Sequence, residues 1–150
     1  MREDCMIDFV DEGWMHYPKV EQLIYDVLYR DFGVAPDGEW RQPCSAGEMV
    51  AAQCNMQLVG TAMLVGPRGA ERLQLRQLAV LPEYRGAGIG RALIEELEAS
   101  ARGQGTVEIW LNAREVAFGF YEALGYEYTG DMFVSELTQI PHRPMRKLLR

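Results

Sequence analysis

The sequence predicts an α/β protein, one domain over 1–150, built on a central mixed sheet that is mostly antiparallel, holds a parallel strand pair and is flanked by helices. Three observations carry this. Apolar runs bounded by turn residues mark strands at 49–54, 58–65 and 72–81. A strand, helix, strand, helix succession follows from 72 to 124, which implies a parallel pair. The length of 150 residues suits a single core that buries roughly two thirds of the surface its unfolded chain exposes.

In chain order, 6–10 reads as a short strand, and 18–32 as a helix in which Val20, Leu23, Ile24, Val27 and Leu28 recur at helical spacing, with Pro18 in its first turn and Gly33 at its end. Residues 33–47 carry Pro36, Asp37, Gly38 and Pro43 and read as a long loop of the kind that often serves function. The runs 49–54 and 58–65 form a hairpin across Asn55, Met56 and Gln57. After the strand at 72–81 come a helix at 89–102 ending at Gly103, a strand at 106–111 and a second helix at 113–124 before Gly125. Strand character returns at 126–129, 132–137 and 145–149.

Composition excludes several classes. Apolar residues make up 48% and charged residues 25%, the balance of a globular chain rather than a disordered one. The longest uncharged stretch, 49–67, is broken by Gln53, Asn55, Gln57, Gly60 and Thr61, so it reads as strands and not as a membrane span. Acidic residues near the start oppose a secretory signal, so a cytoplasmic protein is expected. Cys5, Cys44 and Cys54 lack paired close spacing, which predicts reduced, mostly buried thiols and no metal site. The net charge of -7 lies wholly in residues 1–50, with 11 acids against 4 bases. Arg68, Arg72, Arg76, Arg85 and Arg91 face only Glu71 and Glu83, a local cationic segment suited to a small phosphorylated ligand rather than to nucleic acid.

The central motif is the turn at 85–91, where a strand ends at Pro82 and a helix opens through Gly86, Gly88 and Gly90. The first amides of a helix lack internal partners and sit at the positive end of its dipole, so they bind phosphate wherever side chains leave the backbone bare. Arg85 and Arg91 add charge there. The same glycines serve equally a turn that only needs their dihedrals. A dinucleotide-binding turn is the rival, and its spacing fails because Arg91 stands where the third glycine belongs and Pro82 to Arg85 separate the turn from its strand.

Residues 85–90, reading Arg-Gly-Ala-Gly-Ile-Gly, match the acetyl-CoA signature of the GCN5-related N-acetyltransferase superfamily. With Leu78, Ala79 and Val80 before it, Asn112 after the next strand, and 117–126, the chain resembles that superfamily over 73–126. Residues 1–72 agree only in element order. The resemblance implies that the amides of Gly86, Ala87, Gly88, Ile89, Gly90 and Arg91 cradle the CoA pyrophosphate, with Arg85 beside them. It implies that the backbone of Leu78, Ala79 and Val80 pairs with the pantetheine arm at a strand edge opened by splaying two parallel strands, with Asn112 and Phe118 close to the cofactor. Asn112 also reads as a helix N-cap, given Glu115 three residues on.

Acetyl transfer to an amine needs a neutral nucleophile, a stabilised oxyanion and a proton for the departing thiolate. Tyr121 occupies the family position for that acid, and a phenol near pKa 10 is protonated at neutral pH. On residue type alone it reads as core packing. The strand before the turn, Leu73-Gln74-Leu75-Arg76-Gln77-Leu78, holds no carboxylate where many members carry a glutamate base. The base is then a water chain, Glu136 or His142, with Glu48 and Asp131 weaker and His16 more plainly structural. The implied partners are acetyl-CoA and an amine, with a cationic amine suggested by the acidic first third and a homodimer left open. A non-catalytic acyl-CoA sensor is the alternative.

Overall fold

The computed structural model describes residues 4–41 and 46–150. Four antiparallel strands open the sheet: β1 (Cys5–Val10), β2 (Gly47–Cys54), β3 (Gln57–Val65) and β4 (Arg72–Val80). Asn55 and Met56 turn the β2–β3 hairpin with φ of 51° and 66°, the two positive values that a tight hairpin turn requires. The later strands are β5 (Glu108–Arg114), β6 (Glu127–Tyr128), β7 (Phe133–Val134) and β8 (Pro141–Leu148). The sheet order is β1-β2-β3-β4-β5-β8-β6, with β7 also on β8.

The parallel contact between β4 and β5 spans only Arg72 with Glu108, Leu73 with Ile109 and Gln74 with Trp110. Beyond these pairs both strands continue without each other, so the sheet splits from Leu75 and Leu111 onward. A bulge in β4 accompanies the split. Thr61 pairs with Ala79 but Met63 with Arg76, and Gln77 has a φ of 57°. The extra residue reverses the alternation: Leu73 and Leu75 face one side before it, whereas Leu78 and Val80 face that side after it.

Two cores cover the two faces. On one, α2 (Ile89–Gly103) buries Ile89, Leu93, Ile94, Leu97 and Ala101 with α3 (Phe118–Ala123) against β2 to β5 and β8. On the other, α1 (Tyr17–Ile24) packs Tyr17, Val20 and Ile24 with Tyr29, Trp40, Met49 and Met63. Because β2 and β3 are covered on both faces, their burial is nearly continuous rather than alternating. Among the described residues no helix is long and apolar enough to cross a membrane.

Three expectations change. The helix at 18–32 has the expected extent, but it winds as a π turn at Tyr25–Tyr29 and a 3₁₀ turn at Arg30–Phe32 before Gly33 at φ 72°. The helix at 113–124 begins only at Phe118, after a 3₁₀ turn at Glu115–Ala117, because Asn112, Ala113 and Arg114 pair with Pro144, Arg143 and His142 of β8. Sheet pairing overrides local helix preference here, and Asn112 is therefore a strand residue and not an N-cap. The last strand starts at Pro141 rather than 145 and contains Pro144. That proline faces the gap between β6 and β7, where its carbonyl accepts from Thr129 N–H and no ladder bond is lost.

The cysteine expectation is overturned for two of the three. Cys5 and Cys54 are register partners on β1 and β2 and form a disulfide, with Cα atoms 4.0 Å apart. Cys44 lies outside the described residues.

Candidate active site

The glycine turn is built as its sequence requires. Gly86 and Gly88 have φ of 78° and 84°, the left-handed region that favours glycine, and Gly88 is the N-cap of α2. A Cβ at Gly86 would meet nothing within 4 Å, so the turn is open to its surroundings there. The α2 ladder opens with Ala92 N–H on the Gly88 carbonyl at 3.0 Å, so the N–H groups of Ile89, Gly90 and Arg91 have no partner within the helix. These three amides lie at the positive end of a 15-residue helix, directly after the turn through Gly86 and Gly88. Gly90 serves differently: a Cβ there would stand 3.2 Å from Phe120 Cζ, so its bareness lets α2 and α3 approach. Arg85 Nε donates to the Val80 carbonyl at 3.3 Å, tying the turn to β4, while Arg91 is exposed beside Glu95 at 3.5 Å.

From the turn, the edge of β4 at Leu78, Ala79 and Val80 leads back toward the bulge. β3 pairs with its other side, and no strand pairs with this edge beyond Gln74. Tyr121 comes from α3 with 7% of its surface exposed, its ring edge-on to Phe120 at 5.1 Å and Tyr126 at 5.7 Å. Burial pushes its phenol well above the usual value, an effect that the Arg114 charge partly offsets. Phe118 is half-buried with its ring edge-on to Tyr128 at 5.4 Å, and Asn112 is exposed opposite Pro144.

The α1 side of the split holds residues that the sequence reading passed over. Gln77, turned by the bulge, is buried; it accepts from the Tyr29 hydroxyl at 2.8 Å and donates to the Trp40 carbonyl at 3.1 Å. Trp40 in turn donates to the Ala35 carbonyl at 2.9 Å and packs against Tyr25 and Tyr29, pinning part of the 33–47 loop. Arg114 donates to the Leu28 carbonyl at 2.7 Å and lies over the Tyr29 and Phe32 rings. No motif in the sequence marks these residues.

The base candidates separate. His142 is half-buried, stacked on Phe133 and cross-strand from Arg114. Its Nδ1 lies 3.0 Å from the Ile140 carbonyl. A carbonyl only accepts, so Nδ1 holds the proton and Nε2 is left with a lone pair in the neutral ring. Burial lowers its pKa, Arg114 adds to that, and the Ile140 carbonyl opposes it. Glu48 accepts from Ser100 and Gln104 near the C-terminus of α2, about 20 Å along the helix from the turn. Glu136 and Asp131 are exposed, and His16 packs edge-on to Trp14 at 5.1 Å.

A split parallel pair, an open strand edge and a glycine turn at a helix start define an acyl-CoA N-acyltransferase fold. Residues 45–128 match the acetyltransferase (GNAT) domain, and the chain belongs to that family. A Bacillus subtilis protein carried by name as an acetyltransferase is 36% identical over 91 residues, covering 59% of this chain and 58% of that one. The chain spans about half the length of the curated relatives it matches. Among solved structures, an N-acetyltransferase by name from Lactobacillus plantarum superposes with a TM-score of 0.82 at 20% identity, covering 99% of this chain and 100% of that one. An aminoglycoside 6'-N-acetyltransferase in complex with coenzyme A gives 0.80 at 20% identity, with 97% of each chain covered.

Proposed function

We propose that this domain transfers acetyl from acetyl-CoA to an amine by direct attack in a ternary complex. The observation that carries the reading is the track from the helix-opening amides behind the glycine turn, along the open β4 edge at 78–80, to the split between β4 and β5. The amides, with Arg85 and Arg91, hold the pyrophosphate, and the β4 backbone takes the pantetheine amides as an added strand would. Asn112 and Phe118 flank that arm from β5 and α3.

The amine nitrogen attacks the thioester carbon, forming the C–N bond as the carbonyl oxygen gains charge. Collapse breaks the C–S bond, and the thiolate takes the Tyr121 proton to leave as CoA thiol. The surplus proton on nitrogen passes to His142 Nε2, directly or through water, and solvent returns both groups to their starting states. Gln77 does not act as the base, because its amide is held by Tyr29 and Trp40 and has no proton affinity near neutrality. One chain or a homodimer is the working unit.

Thiol release from acetyl-CoA mixed with a panel of amines tests this reading, and binding of acetyl-CoA with no release for any amine would favour a sensor module. Tyr121→Phe lowers kcat on the order of 100-fold with acetyl-CoA affinity unchanged. Equal loss of both assigns Tyr121 to packing instead.

A further inference from the structure

Four of the acids in residues 1–50 are engaged by partners of their own. Glu21 pairs with Arg41, Asp26 with Arg30 and Gln22, Asp11 accepts from Gly13 N–H, and Glu48 lies at the far end of α2. The split is bordered by cations. Arg114 extends from the β5 wall on the α1 face of the sheet, the face on which it meets Leu28, Tyr29 and Phe32. Arg76 belongs to the β4 wall on that same face, opposite Met63 of the α1-side core and next to the bulged Gln77. Both arginines are half-buried, and among the described residues neither has a carboxylate partner.

A half-buried guanidinium without a counter-ion keeps N–H donors that an anion can take. Its desolvation is offset in Arg114 by one neutral carbonyl and two aromatic faces, which leaves most of its five N–H donors without an anionic acceptor. Lys147 and Arg146 are half-buried beside carboxylates, Glu98 at 3.0 Å and Glu108 at 3.4 Å, whereas Arg143, on the opposite face of the sheet, is like Arg114 in having a carbonyl, that of Gly130 at 2.8 Å, and an aromatic ring, that of Tyr128. The planar fork of Arg114 matches a carboxylate in two parallel bonds. Cations beside the reacting amine also favour its neutral, nucleophilic form.

Resting on the acetyl-transfer reading, we infer that the acceptor is an amine that carries a carboxylate, an amino-acid-like compound held through Arg114 with Arg76 supplying further positive field. This replaces the cationic acceptor suggested by net charge. Arg114 is the specificity-determining residue of that site.

The test uses L-α-amino acids and short ω-amino acids, each beside its carboxamide, with thiol release and calorimetric binding to the CoA-loaded protein as readouts. The acids exceed their amides in kcat/KM by on the order of 10-fold or more. Arg114→Gln brings that ratio near one while leaving the KM for acetyl-CoA in place, and Arg114→Lys keeps part of it. Thermal melting of both variants separates this from loss of the Leu28 tether. Amides used as readily as acids by the unaltered protein, or a ratio untouched by Arg114→Gln, overturns the inference. If no amine releases thiol, the acetyl-transfer reading falls by itself. Calorimetry still decides Arg114, since acids that bind no better than amides overturn its role.

Discussion

Gly90→Ala separates two uses of a glycine in this turn. In a helix, alanine gains about 1 kcal/mol over glycine. Against this, the added methyl stands 3.2 Å from Phe120 Cζ and 3.4 Å from Cε1, tighter than ordinary contact, so the ring must yield by a few tenths of an ångström. Crowding of this kind costs about 1–2 kcal/mol, and the two effects leave stability within about 1 kcal/mol, or about 3 °C in Tm. The functional effect is larger, because the Phe120 ring meets Tyr121 at 5.1 Å and its displacement moves the acid. Misplacing a catalytic group by a fraction of an ångström lowers kcat by about 10-fold. Steady-state kinetics with calorimetric CoA binding should show kcat reduced, Kd unchanged, and recovery on adding Phe120→Leu. If Kd weakens as much as kcat falls, Gly90 serves ligand approach and the helix-packing argument fails.

Three further outcomes follow from the same contacts. The kcat/KM profile should have an acid limb centred below 6.5 that disappears in His142→Gln, since burial and Arg114 from β5 disfavour the imidazolium on which Phe133 of β7 stacks; the folded state binds that proton less readily than the unfolded chain, so stability also drops as pH falls through that range. Lys147→Met leaves Glu98, 5% exposed, with only the Tyr126 hydroxyl at 2.9 Å, and should cost about 3 kcal/mol in urea unfolding; adding Glu98→Gln recovers most of it because the amide still accepts from Tyr126. Reduction of the Cys5–Cys54 bond, which closes a separation of 49 residues, should lower stability by about 4 kcal/mol on loop entropy, and an unchanged urea midpoint refutes this.

The glycine turn was legible because positive φ at Gly86 and Gly88 demands a residue type that the sequence displays, and because a strand and an amphipathic helix bracket it. The parallel pair was legible from element order. Asn112 to Arg114 misled, since Ala-Arg-Glu-Val-Ala favours a helix locally and only the register with β8 makes those residues strand. The left-handed Gln77 is invisible in sequence because glutamine rarely takes that conformation, and the bulge that enforces it depends on β3. Cys5 and Cys54 pair through a β1–β2 register that spacing does not reveal. Arg114 escaped notice for the same reason as its strand: its importance is the partner it lacks, which appears only when the surrounding elements are in place.

A crystal structure of the protein with acetyl-CoA tests the central claim most directly. Diphosphate oxygens should lie about 2.7–3.2 Å from several backbone nitrogens between Gly86 and Arg91, with the pantetheine arm against Leu78 to Val80. Cofactor density elsewhere, with those nitrogens bonded only to water or to protein side chains, would contradict it.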